Sequence, residues 1–255
     1  IFMFNGFIKT SNKNNRLQIP GLFRQLRVNF NTVDGILIDK TLFDYRRNYM
    51  KGRYIRFTPR IEFLLARPGM NKELNFYSIY NAEKRAGFSF NIGKVSEDFN
   101  HKQAIEPFIN SISSLFFKEN YSKIYQKEFI DINHQIDIKN GLILNTGFSY
   151  ENRTQKNNNS SLNIWGGRNK SYTSNRPEHI ETFLRPAILA SHESVSIHAS
   201  LSYTPKQYYR MIRGQKVMIA SSNPTFKLNY QQGIPDALNS QSKFQLVEFS
   251  IQQSR

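Results

Sequence analysis

Ser194 to Tyr203 reads S-V-S-I-H-A-S-L-S-Y, an alternation without a break. In an extended chain successive side chains leave on opposite faces. Val195, Ile197, Ala199, Leu201 and Tyr203 therefore share one face, and Ser194, Ser196, His198, Ser200 and Ser202 share the other. The pattern returns in Phe88/Phe90/Ile92 against Gly87/Ser89/Asn91/Gly93, and in Leu142/Leu144/Thr146/Phe148/Tyr150 against Ile143/Asn145/Gly147/Ser149/Glu151. About ten residues of such alternation fit either a half-buried soluble sheet or a wall with lipid outside and water inside.

Working outward, Leu26, Val28, Phe30 and Thr32 alternate with polar neighbours before a break at Asp34-Gly35. Ile55, Phe57, Pro59, Ile61, Phe63 and Leu65 oppose Arg56, Thr58, Arg60 and Glu62, and Pro59 in that run predicts a strand edge or a bulge. Ile130 to Ile138 alternates again, and Asn140-Gly141 is a tight hairpin turn into the Leu142 strand. Further strands are expected around Phe183 to Leu189, Phe226 to Tyr230 and Phe244 to Gln253, the last with a bulge where the phase changes between Leu246 and Val247. One segment breaks the rhythm: Phe108, Ile112, Leu115 and Phe116 recur at helical spacing, which predicts a short helical insertion near 108–126 with Ser111 as N-cap. The polar excursion from Asn152 to Asn175 would be an external loop on a barrel. The architecture this predicts is all-β, antiparallel and up-and-down, with about ten to twelve strands.

Composition narrows the class. The 255 residues carry 35 Lys and Arg against 19 Asp and Glu, a formal charge of +16 that would attract anionic lipid, nucleic acid or acidic glycans. Cysteine is absent, which excludes a disulfide scaffold and thiolate metal sites. Thirteen Tyr and 21 Phe accompany a mean hydropathy of −0.55, the balance of a membrane barrel whose strands are half apolar and whose rims are aromatic. No run approaches the roughly 18 apolar residues of a membrane helix. Ile1 to Gly6 has no basic leader, long apolar run or small-residue cleavage site, so the chain reads as part of a longer protein.

Four blocks carry a resemblance: Phe30 to Ile36 (F-N-T-V-D-G-I), Pro107 to Tyr125, Tyr203 to Tyr209 (Y-T-P-K-Q-Y-Y) and Asn223 to Ile234. In this order they resemble the DUF5686 family of Bacteroidota envelope proteins, over roughly Phe23 to Gln253. The resemblance implies an outer-membrane β-barrel, preceded in full-length members by a carboxypeptidase-regulatory-like domain that this chain lacks. Asp34 stands where the usual form of the first block has Glu. The resemblance supplies no catalytic residues.

Candidate chemistry is sparse. His192 and His198 share a face but lie about 20 Å apart along a strand. His179 and Glu181 are a ligand pair only with a third partner, His134 sits among isoleucines as a hydrogen-bonded or interfacial imidazole, and Asp131 and Asp137 are too far apart for a carboxylate dyad. Arg213-Gly214 resembles the Arg-Gly pair of Omp85-type translocation barrels but reads more simply as a turn. Neither a catalytic residue nor a metal or cofactor site is expected. Arg56, Arg60, Glu62, Ser196, His198, Lys227 and Asn229 are candidates to face a lumen, and Tyr208, Tyr209, Arg210 and Arg213 to form an interfacial girdle. The leading expectation is a fragment of a non-enzymatic outer-membrane barrel acting in transport, secretion or envelope assembly. Its surroundings would be outer-membrane lipid, lipopolysaccharide and envelope proteins, not nucleic acid. The alternative is a soluble basic all-β module for glycan or nucleic acid, which requires the apolar faces to form a core.

Overall fold

A computed structural model describes residues 6–11, 14–21, 23–24, 26–100, 105–165, 170–176 and 191–253. The strand expected around Phe183 to Leu189, with His179 and Glu181, lies outside the described residues. The alternating segments are all strands. β1 (Phe7–Ser11), β2 (Asn15–Ile19), β3 (Arg27–Asn31), β4 (Gly35–Thr41) and β5 (Asp44–Asn48) are short. β6 (Tyr54–Leu64), β7 (Met70–Asn81), β8 (Ala86–Asp98), β9 (Ile124–Lys139), β10 (Leu142–Gln155) and β11 (His192–Tyr203) are long. β12 (Tyr209–Ile212) and β13 (Gln215–Met218) form a separate hairpin, and β14 (Thr225–Gly233) and β15 (Gln245–Gln252) complete the set. Among the described residues one α-helix, α1 (Pro107–Phe117), interrupts the series.

Thirteen strands form one antiparallel sheet in the order β1-β2-β5-β6-β7-β8-β9-β10-β11-β14-β15, with β3 and β4 branching off at β6. Among the described residues the sheet does not close on itself, and the strands exceed the ten to twelve expected because β1, β2, β12 and β13 are too short to show an alternation. The branch explains Pro59. β5 pairs with β6 from Tyr54 to Phe57 and β4 pairs with it from Arg60 to Leu64, so Pro59 sits in the gap between two partners. There its missing N–H leaves no ladder bond unmade, while its carbonyl accepts from Leu42.

Two further expectations are corrected. The helix starts after Glu106 with Pro107 in its first turn and stops at Lys118, whose φ of 56° reverses the chain, so it does not reach residue 126. Ser111 lies inside the helix. No bulge separates Leu246 from Val247, because β14 and β15 pair in one unbroken register from Gln232↔Gln245 to Thr225↔Gln252. The phase change arises because Leu246, on an edge strand, is exposed on the other face.

The sheet has two unlike ends. At one, tight turns at 82–85 and 140–141 join β7 to β8 and β9 to β10. At the other lie α1, the described residues 156–165 and 170–176 and the 234–244 strap. What is buried between them is largely polar: Thr32, Asp34, Asn71, Asn110, Ser114 and Asp137 are each 2% exposed or less.

Candidate functional site

The two faces of the sheet divide by chemistry. Row by row, the strand register carries Phe57, Phe76, Phe90, Ile132, Phe148 and Ile197 side by side on one face. Four residues along, Ile136, Leu144, Leu201, Leu228 and Phe249 share that face. These apolar residues are not covered: Ile197, Leu201 and Tyr203 are 37%, 38% and 40% exposed. The soluble alternative requires the opposite arrangement.

The apolar belt also slants across the ladder. The row Val247–Tyr230–Ala199–Thr146–His134–Phe88–Ser78–Ile55 crosses eight strands. On β15 it is the loop-end limit of Val247, Phe249 and Ile251, whereas on β6 it is the turn-end limit of the run from Ile55 to Leu65. The belt centre thus moves about seven residues over seven strand-to-strand steps.

The opposite face is charged and hydrogen-bonded. Arg56 holds Asp44 through two bonds of 3.0 and 2.7 Å, and Arg60 bridges Asp39 at 2.8 Å and Glu73 at 3.1 Å. Glu62 accepts from Asn71 at 2.7 Å. Nearby, Lys127 pairs with Glu97 and lies 3.8 Å from Glu151, which Arg153 binds at 2.5 Å. Two cavities of about 500 and 330 Å³ meet at Asp39 and Arg60. Charges of both signs line them, so they suit water and small polar solutes better than an apolar ligand.

At the loop end the first two family-like blocks meet. Asn31 Oδ1 accepts from the amides of Val33 and Asp34 at 2.9 and 2.7 Å, closing a tight turn, and Arg67 binds Asp34 at 2.5 Å. Gly35 follows with a φ of +75°, and a Cβ there would lie 2.6 Å from that of Ala66. Ser111 on α1 accepts from the Phe30 amide at 2.8 Å and donates to its carbonyl at 3.0 Å, taking the place of a neighbouring strand at the edge of β3. Thr32 O accepts from Asn159 and Ser160, both at 2.9 Å, so part of the polar excursion covers the same turn. Burial, then the charges of Arg67 and Lys94, push the Lys156 ammonium below its ordinary value.

The other two blocks meet at the turn end, where the hydroxyls of Thr204 and Thr225 are 2.8 Å apart and Asn223 donates to the Pro205 carbonyl at 3.0 Å. From there the β12–β13 hairpin runs along the rim. Gln207 takes Asn140, Lys216 binds buried Asp137 at 2.9 Å beside Arg85 at 2.8 Å, and Gln215 reaches Gly52 O at 3.2 Å. Arg213-Gly214 is the hairpin's turn, with φ of 50° and 78°.

All the lumen candidates lie on the charged face, but they do not converge. Arg56, Arg60 and Glu62 line the cavities on β6, Ser196 and His198 stand on β11, and Lys227 and Asn229 on β14. Tyr208, Tyr209, Arg210 and Arg213 are exposed on the rim hairpin or leading into it. His134 bonds Tyr80 Oη at 2.7 Å, as its isoleucine surroundings suggest. The Arg85–Asp137–Lys216 triad went unseen in the sequence because its members are 52 and 79 positions apart. Ser242 Oγ is 3.4 Å from His192 Nε2 but donates to Ser194 at 2.7 Å, so it is not poised as a nucleophile. Among the described residues no group of three His, Cys, Asp or Glu could hold a metal. No helix among the described residues is long and apolar enough to cross a membrane.

A family model described as the C-terminal domain of a family of unknown function, DUF5686, matches residues 1–255. No curated protein and no solved structure matches the chain.

Proposed function

We propose that this chain, which belongs to the DUF5686 family as its C-terminal domain, is a stretch of the wall of an outer-membrane β-barrel. The observation that carries the reading is the inversion of the sheet: apolar residues outward and uncovered, charges and amides inward. The slant of the belt supports it. A drift of about one residue, or 3.3 Å, per 4.8 Å strand spacing corresponds to a tilt of about 35°, within the range of membrane barrels. On β9 the belt from Ile130 to Ile138 measures about 27 Å along the strand and about 22 Å along the membrane normal at that tilt, close to the apolar band of such barrels.

The charged face then borders an aqueous interior, capped at the loop end by the Asn31–Asp34 turn, α1 and the 156–160 segment. The role is non-enzymatic and belongs to transport, secretion or envelope assembly. The absence of cysteine gives a clean test. Spin labels on Leu201→Cys and Ser202→Cys in vesicles should show opposite accessibilities: oxygen in lipid at 201, a water-soluble nickel chelate at 202. Equal access of the chelate to both positions would refute the wall.

A further inference from the structure

We infer that the turn end is a docking surface for anionic phospholipid headgroups, an inference that rests on the barrel reading. The charge of the chain is not spread evenly. Residues 46–53 carry Arg46, Arg47, Lys51 and Arg53 and no carboxylate. Residues 204–224 carry Lys206, Arg210, Arg213 and Lys216, again with none. The intervening turns add Lys84, Arg85 and Lys139, against Glu83 and Asp137 alone. Eleven cations thus face two carboxylates, a surplus of nine at one end of a chain whose total is +16. Asp137 is 2% exposed and already committed to Arg85 and Lys216, which leaves Glu83 as the one exposed carboxylate in these segments.

The cations are also paired with aromatic rings. Arg46 lies 4.4 Å from the Tyr54 ring centre, Arg47 5.0 Å from Tyr49, Lys139 5.9 Å from Tyr203 and Lys216 4.7 Å from Tyr209. Tyrosines holding cationic chains at an apolar border are what an ester and phosphate layer accommodates. The position favours lipid over nucleic acid. Arg53 is the next residue on the face of Ile55 where the belt ends on β6, and Lys139 directly follows Ile138 on β9. The basic rim therefore begins where the lipid-facing residues stop, at the level of headgroup phosphates. Each basic side chain near an anionic leaflet favours association by about fivefold, and the rim gathers many.

The test uses the single tryptophan of the chain. In a Trp165→Phe background, Ile212→Trp places a reporter at the hairpin tip and Leu201→Trp places one in the belt. Each is incorporated into phosphatidylcholine vesicles containing phosphatidylglycerol, with the brominated quencher on one lipid or the other. The L201W reporter should be quenched by bromines deep in either lipid, which checks the barrel reading by itself. The I212W reporter should be quenched about threefold more per mole fraction of brominated phosphatidylglycerol than of phosphatidylcholine. That preference should vanish at high salt. It should also vanish when Arg47, Lys51, Arg53, Arg210 and Arg213 are changed to Gln, and survive when the four arginines are changed to Lys. Failure of L201W quenching refutes the wall and this inference with it. Quenched L201W with no headgroup preference at I212W, or a preference untouched by the Gln set, overturns the inference alone. So does salt-sensitive binding of an oligonucleotide to the inserted chain where phosphatidylglycerol changes nothing.

Discussion

Replacing Leu201 by Arg separates a lipid-facing side chain from a merely exposed one. Leu201 is 38% exposed, and its ladder neighbours Leu144 and Leu228 are apolar residues of the same face. If its surroundings are water, Arg is as well hydrated there as in the unfolded chain, and the change costs within about 0.5 kcal/mol. If they are hydrocarbon, the guanidinium must lose water or drag water inward, at about 2–4 kcal/mol near the midplane of a barrel strand. Leu201 is one to two residues from the centre of the β11 run Ile197–Tyr203, so an effect of about 2–3 kcal/mol is expected, a 30- to 150-fold change in the folding equilibrium. Reversible denaturant unfolding in the presence of vesicles reads this directly, with Ser202→Arg as the companion on the charged face. A loss below about 1 kcal/mol at Leu201 would refute the reasoning, as would equal losses at both positions.

Asp137→Asn should leave the Lys216 and Arg85 charges facing each other under the rim hairpin, and tryptic cleavage after Arg210 and Arg213 should accelerate about tenfold or more as the hairpin lifts. Unchanged cleavage would mean that Gln215 and the backbone contacts hold it alone. Ser111→Ala leaves the Phe30 amide without its acceptor at the edge of β3, at about 1–3 kcal/mol, read as faster exchange of that amide while the β9–β10 amides are unchanged. Gly147→Ala would set a Cβ 2.2 Å from the His198 ring and 2.6 Å from Asn133 Oδ1, costing about 1–3 kcal/mol; His198→Ala in the same chain should recover much of the loss in a melting experiment.

The long strands were legible because each side chain alternation is local: Phe88 to Ile92 or Ser194 to Tyr203 declares its two faces in its own letters. The hairpin at Asn140-Gly141 was legible for the same reason, since Gly141 supplies the φ of 80° that the turn needs. What escaped was non-local. β4 and β5 dividing β6 between them shows in the sequence only as an awkward Pro59, and Ser111 reads as an N-cap until the β3 edge is beside it. The Arg85–Asp137–Lys216 contact joins three hairpins and has no spacing rule. Parity alone puts the lumen candidates on one face of the sheet, but it cannot say which of them come together, and only Arg56, Arg60 and Glu62, neighbours on β6, do.

The cap at the loop end has a thermal consequence. Its seam is made of Asn31, Ser111, Asn110 and Asn159 bonding to backbone and of Thr32 and Asp34 bonding to the side chains of Asn158, Asn31 and Arg67, with Phe30 and Val33 as its buried apolar members. Opening such a seam exposes amide and hydroxyl surface more than hydrocarbon, so the positive and negative heat-capacity contributions of hydration nearly cancel. Its opening free energy should follow temperature almost linearly, without the dome-shaped curve of an oily core. Chilling, which loosens contacts held by water structure around hydrocarbon, would leave this cap shut.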